Sequence, residues 1–320
     1  MPGVFAIKAI WLNCSKRIKS DRTAEKRFAF EGQKAILIVR TDKNSEKYGE
    51  KIMKNYFQSY FLDSPFNKDR VMDIFEPDND VPVKDMALFF VHGGGWHSGS
   101  RTVFHELMQA FGRLGYWTCT TDYRLNCNAF DQLSDIREAF DVFVDMMKKR
   151  DPDCRFAVVG SSAGAHLASL MACALPGECG EDVSKLRYPE VRPVKAILQA
   201  TPHDFKHWEG MMPPFWAQME RAAGAKYEDD PERFERLSLC NYIREDNPEI
   251  FFIEAGLEHL FPVELTLELA RKHRAMNIGS CWKIYERVEH GFFYDLTRKM
   301  QIAAFNDACS FLEDKLECDF

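Results

Sequence analysis

The chain has no apolar run approaching the roughly 20 residues that a membrane-spanning helix needs, so no span is expected. It has no stripe of Lys and Arg dense enough to suit nucleic acid, and its net charge is −7. No cysteines are spaced C-x-x-C, and none sits with histidine at zinc-ligand spacing; the chemistry its serine and histidine motifs suit needs no metal or organic cofactor, and none is expected. The ten cysteines are scattered. Cys119, Cys173 and Cys281 fall inside apolar segments, where a free thiol acts as a small hydrophobe, which points to a reducing compartment. Residues 1–12 are mildly apolar but interrupted by Lys8, and lack the charged start, apolar centre and small-residue cleavage site of a secretion leader. The expected location is the cytoplasm. There is also no internal repeat, low-complexity tract or linker, so one domain is expected.

What remains is an ordinary globular composition over 320 residues, 46% hydrophobic and 28% charged, with 26 Phe, 13 Met and 6 Trp to fill a core and line a pocket. Residues 71–75 alternate as an early strand, and residues 87–91 (ALFFV) form the unbroken apolar run of a strand buried on both faces. Further strands are predicted at 116–121, 156–159, 194–200, 249–255 and 281–286. Between them lie helices near 103–112, 132–149, 263–276 and 302–316. The clearest helix carries Leu133, Ile136, Phe140, Phe143, Val144 and Met147 at helical spacing. Strands alternating with helices predict a mostly parallel sheet covered on both faces. Residues 1–67 read as an extension packing on the domain of residues 68–320. Within it, residues 16–27 read as a charged, solvated stretch and residues 35–39 as a strand or part of a helix. Residues 46–61 read as a helix with Tyr56, Phe57, Tyr60 and Phe61 on one face. Residues 203–236, rich in Trp, Met and Phe and broken by Pro213 and Pro214, interrupt the alternation as a helical insertion.

The densest chemical signal is FAVVGSSAGAH at residues 156–166. A β-branched run, a turn of small residues and a helix-forming run give the setting of a G-x-S-x-G nucleophile elbow. Gly160 and Gly164 flank Ser162 at minus two and plus two, which favours Ser162 over Ser161 as nucleophile. A serine nucleophile needs a base, an acid to orient it and donors for the oxyanion. His290, in VEHGFF after the last strand, is the candidate base; His166 reads instead as packing or capping. The acid is expected in residues 256–262. Glu258 is the first choice, four residues before Pro262, with Glu254 the runner-up and His259 a possible substrate contact. HGGGW at 92–96 supplies the oxyanion loop, because three glycines after a buried strand let backbone N–H groups face a cavity. Gly94, Gly95 and Ala163 are the candidate donors. His92 is read as a brace for the loop, and Trp96, Trp208 and Trp216 as pocket walls for an apolar or aromatic group.

Taken in order, HGGGW, DYRL, GSSAGAHLA, an acid before Pro, and HGF resemble the α/β-hydrolase fold over roughly residues 71–316. They are most similar to its HGGG-type esterase and lipase branch. That branch includes hormone-sensitive-lipase-like carboxylesterases, feruloyl and acetyl-xylan esterase-like proteins, and kynurenine formamidases. Ser161 stands where the hormone-sensitive-lipase-like group has Asp, and Asn126-Cys127 where it has Ala-Pro, which shifts the resemblance towards the feruloyl-esterase-like relatives. The resemblance implies a central sheet with a helical cap at 203–236, and structural roles for Arg124 and Asp135. It also implies hydrolysis of small acyl esters through an acyl-enzyme. An arylformamidase is the alternative, and a non-catalytic binding protein on the same fold the second alternative. The expected partner is a small ester.

Overall fold

The apolar run Met86–Val91 is fully buried at the middle of the sheet. The computed structural model describes residues 23–29, 36–42, 56–60 and 70–318. Its strands are β1 (Thr23–Ala29), β2 (Ile36–Asp42), β3 (Tyr56–Tyr60), β4 (Val71–Phe75), β5 (Met86–Val91), β6 (Trp117–Thr121), β7 (Arg155–Ser161), β8 (Lys195–Gln199), β9 (Glu249–Ala255) and β10 (Ser280–Tyr285). They lie in one sheet in the order β1-β2-β3-β4-β6-β5-β7-β8-β9-β10. From β6 to β10 the neighbours run parallel, while β1 to β4, and β4 with β6, run antiparallel.

Strand alternation divides the core between the two sheet faces. Ala87, Phe89 and Val91 face one side, with Phe156 and Val158 of β7. The helices α2 (Ala129–Lys148), α3 (Ala163–Cys173), α4 (Pro213–Ala223), α5 (Pro231–Arg236) and α6 (Val263–Ala275) contribute buried residues there. Met86, Leu88 and Phe90 face the other side. That side is covered by α1 (His105–Gly112) and α7 (Lys299–Leu312). Both faces of β5 are therefore dry, as its unbroken apolar run predicts. Truncating a residue such as Phe89 would cost about 3–5 kcal/mol.

The strongest helix pattern is the most faithful. Asn128 caps α2 by accepting the N–H of Asp131 at 3.1 Å, and all six residues of its apolar stripe are buried. Pro213 and Pro214 open α4, and Gly224, at φ +73°, closes it.

Three expectations change. Residues 56–60, read as the end of a helix, form β3, paired antiparallel to β2 and β4. Aromatic residues favour strands, and two neighbouring strands offer pairing for the whole backbone. The part of the solvated stretch at 23–27 belongs to β1, and 36–42 is β2; residues 46–55 and 61 of the expected helix lie outside the described residues. Cys281, read as a free thiol, is joined to Cys318 in a disulfide with a Cα–Cα separation of 5.5 Å. No helix among the described residues is long and apolar enough to cross a membrane.

The chain leaves β5 towards β6 on one side and returns as β7 on the other. A crevice forms at such a switch point, outside the carboxyl ends of the strands. Val91 pairs with Gly160, so the loop after β5 and the turn after β7 emerge side by side. Ala255 pairs with Tyr285, so the loops after β9 and β10 also emerge together.

Candidate active site

β7 ends at Ser161, and Ser162 takes φ +55° and ψ −127° before α3 begins. A non-glycine residue at such a position costs of order 1–3 kcal/mol, and the surroundings must hold it. Here Ser162 donates its N–H to Gln199 O at 2.8 Å, and its carbonyl accepts the N–H of His166 at 3.0 Å. The flanking glycines are required by close approach. A Cβ on Gly164 would lie 2.2 Å from Val91 O, and one on Gly160 would lie 2.6 Å from Ala165 Cα.

The Ser162 hydroxyl lies 2.8 Å from His290 Nε2. The other ring nitrogen, Nδ1, lies 2.7 Å from Glu258 Oε2. An ionised carboxylate only accepts, so Nδ1 carries the proton and Nε2 is left to accept from the serine. The second oxygen of Glu258, Oε1, accepts the N–H groups of His259 at 3.0 Å and Leu260 at 2.8 Å. Burial disfavours the charge on Glu258. The hydrogen bond and charge of His290, with these two N–H groups, outweigh it and hold the carboxyl below the ordinary glutamate value.

Glu254 is in a different environment. Its side chain is completely buried. Burial outweighs a hydrogen bond with Thr266 and, with the charge of Glu258 adding to it, pushes its carboxyl well above the ordinary value. The structure brings Glu258, not Glu254, to His290.

The loop after β5 runs through positive φ at Gly94 (+124°), Gly95 (+59°) and Trp96 (+63°). Neither Gly94 nor Gly95 donates its N–H to any group among the described residues. Ala163, as the first residue of α3, carries one of the N–H groups that a helix leaves without an internal partner. Gly93 lies against Ser162, since a Cβ there would be 3.1 Å from Ser162 Cβ. The loop is braced throughout. His92 stacks on Tyr123 with ring centroids 4.4 Å apart, and the Tyr123 hydroxyl donates to His92 O at 2.8 Å. The return of the loop is clamped by Arg101, whose Nε lies 2.8 Å from Asp73 Oδ2 and whose Nη1 pairs with Asp122. Arg124 makes a two-pronged bond to Asp135 at 2.8 and 2.9 Å, fixing the DYRL turn to α2.

The three tryptophans divide between core and insertion. Trp96 is buried, with its indole N–H donated to His166 Nδ1 at 3.2 Å. Trp208 and Trp216 are half-buried in the insertion, Trp208 against Phe215 and Trp216 stacked on Phe234. His259 is exposed beside Glu258.

Two further residues at the site carry no sequence signal. The Tyr294 hydroxyl would lie 2.8 Å from a Cβ on Gly93, the glycine that also approaches Ser162. Gln218 of α4 sets its Oε1 2.6 Å from where a Cβ on Gly95 would be, so the insertion rests on the glycine loop. Both contacts depend on tertiary placement alone. Among the described residues, no group of three His, Cys, Asp or Glu could hold a metal ion.

This strand order, with an elbow after β7 and a histidine loop after β10, is that of an α/β hydrolase. The BD-FAE family model matches residues 72–272, and the chain belongs to that family of esterase-like α/β hydrolases. It is similar to Esterase LipQ of Mycobacterium tuberculosis, 24% identical over 206 residues that cover 62% of this chain and 48% of that protein. The chain thus spans about half the length of this curated relative. Among solved structures it resembles Thermogutta terrifontis esterase 2 phosphonylated by sarin, with a TM-score of 0.70 and 19% identity, covering 85% of this chain and 100% of the other. The propionate-bound form of that esterase aligns with a TM-score of 0.65 and 21% identity over 84% of this chain and 98% of the other. These structural likenesses are likenesses of fold.

Proposed function

We propose that the chain is a serine ester hydrolase acting on small acyl esters. The observation that carries this reading is the unbroken line from Ser162 Oγ to His290 Nε2 at 2.8 Å and from His290 Nδ1 to Glu258 at 2.7 Å, at the end of an elbow. Ser162 attacks the ester carbonyl while His290 Nε2 takes its proton. Glu258 holds the ring in the right tautomer and stabilises the imidazolium. Negative charge developing on the carbonyl oxygen is met by the N–H groups of Gly94, Gly95 and Ala163, and removing one such donor typically costs about 10²–10³ in turnover. The tetrahedral intermediate expels the alcohol, which takes the proton from His290. Water then enters, gives its proton to His290, and releases the acid as Ser162 regains its hydrogen. Apart from that water, the groups these steps use all belong to this chain.

The family and the esterases among its relatives favour an ester over a formamide. Trp208, Trp216 and Phe215 of the insertion suit an apolar or aromatic substituent. The cytoplasmic location remains part of the proposal. It rests on seven free cysteines among the described residues, against the one Cys281–Cys318 disulfide, and fractionation of cells expressing the tagged chain tests it.

Initial rates on p-nitrophenyl acetate, p-nitrophenyl butyrate and an N-formyl aromatic amide test the reaction class. The esters are expected to turn over faster, and Ser162→Ala is expected to lose about 10⁴-fold or more in kcat. Faster cleavage of the formamide would identify an amidase. A folded Ser162→Ala with undiminished turnover would remove the serine mechanism.

A further inference from the structure

Trp96 and His166 lie 70 residues apart in sequence and have no role in the chemistry just described. Trp96 follows the three glycines of the oxyanion loop and sits at φ +63°, a left-handed value that a bulky side chain rarely adopts. Holding it there takes compensating contacts, and two are present. Gln132 Nε2 donates to Trp96 O at 2.7 Å, and the indole N–H is donated to His166 Nδ1 at 3.2 Å.

The state of His166 follows from its partners. Its Nε2 lies 2.7 Å from Leu237 O, a carbonyl that can only accept, so that nitrogen carries the proton. Nδ1 of the neutral ring is then free to accept from the indole. Burial lowers the pKa of His166 to about 4, which keeps the ring neutral in ordinary solution. His166 also lies one turn along α3 from the nucleophile, and donates its backbone N–H to Ser162 O at 3.0 Å. Phe205 stacks on the imidazole at 4.5 Å and meets the Trp96 indole edge-on at 5.3 Å. Phe205 near the start of the insertion and Leu237 just past its end therefore close on the same imidazole.

We propose that Trp96 and His166 are positioning residues that strap the oxyanion loop to the nucleophile helix and to the base of the insertion. The proposal rests on the serine-hydrolase reading above. The strap sets the separation between the Gly94 and Gly95 N–H groups and Ser162, which must match the tetrahedral intermediate rather than the resting substrate. It acts on the transition state and leaves ground-state binding nearly unchanged.

The test uses the full chain with p-nitrophenyl butyrate as substrate and a trifluoromethyl ketone as a mimic of the tetrahedral intermediate. Trp96→Phe keeps an aromatic ring against Phe205 and removes the indole donor together with the second ring. It is expected to lower kcat by about tenfold to a hundredfold, the size of a small misplacement of the catalytic frame. KM should stay within about twofold, and the ketone's inhibition constant should rise by the factor by which kcat/KM falls. His166→Asn, whose Oδ1 can accept the indole N–H, should retain more activity than His166→Leu. If His166→Leu does not fold, Trp96→Phe decides. Wild-type kcat and ketone affinity in Trp96→Phe would overturn the proposal, whatever the variant's melting temperature. Ser162→Ala, assayed in parallel, separates the two readings. An inactive Ser162→Ala beside a wild-type Trp96→Phe overturns the strap alone, whereas an active Ser162→Ala overturns the serine reading and the strap with it.

Discussion

The backbone N–H of Leu257 donates to the carbonyl of Val288 over 3.0 Å, one residue before Glu258 and two before His290. Gly256 donates to Tyr285 O at 2.8 Å just upstream, so the two loops stay hydrogen-bonded beyond the ends of β9 and β10. The separation of Glu258 and His290 is thus set by main-chain bonds continuous with the sheet. Side-chain rotamers need only complete it.

Substitution at the two candidate acids should therefore give opposite results. Glu258→Gln puts an amide where a carboxylate accepts from His290 Nδ1, and favours the wrong tautomer. Turnover should fall by about 10³- to 10⁴-fold with the fold intact. Glu254→Gln should keep kcat near that of the wild type, because Glu254 is buried away from the imidazole. Steady-state kinetics on an aryl ester, with circular dichroism as the fold control, check both outcomes.

Glu254 should instead show itself in stability. Its folded-state carboxyl is held well above the ordinary value by burial, so it keeps its proton where the unfolded chain has lost it. A raised pKa contributes stability that is fully present below the unfolded value, about 4.3, and is lost as pH rises. Glu254→Gln removes this dependence. Urea midpoints should show the variant gaining on the wild type from pH 5 to pH 8; parallel curves would mean that Glu254 is already ionised in the fold.

Three buried histidines set the opposite limit. Burial lowers the pKa of His166, His203 and His273 to about 4. In the unfolded chain each titrates near 6.5. Depressed values contribute stability that is present above about 6.5 and lost as pH falls towards 4, because the unfolded chain takes up protons that the fold refuses. The urea midpoint should drop steeply across that window. His273→Gln should flatten the slope by about one proton. His273 is the best probe because it lies in α6, outside the Ser162 elbow, where it bonds to Ser280.

Much of the site is legible in the sequence because its parts are local. The small residues of the elbow sit within five positions, and the three glycines follow directly on β5. The apolar stripe of α2 repeats often enough to survive any error at its ends. What is not legible depends on distant partners. Tyr56, Phe57 and Tyr60 fit a helical face as well as a strand, and only the pairing of β3 with β2 and β4 decides between them. Glu254 and Glu258 differ through the point where β9 ends, since Glu254 still lies within the strand and Glu258 lies beyond it. The bond from Trp96 to His166 and the disulfide from Cys281 to Cys318 join positions that no motif links.

The most direct measurement is the mass of the peptide containing Ser162 after the protein is treated with a fluorophosphonate. The geometry predicts a single phosphonyl adduct on Ser162 with complete loss of esterase turnover. It also predicts no labelling in Ser162→Ala, and slow labelling in Glu258→Gln. An unmodified Ser162 in an enzyme that still turns over ester, or an adduct on Ser161 instead, would contradict it.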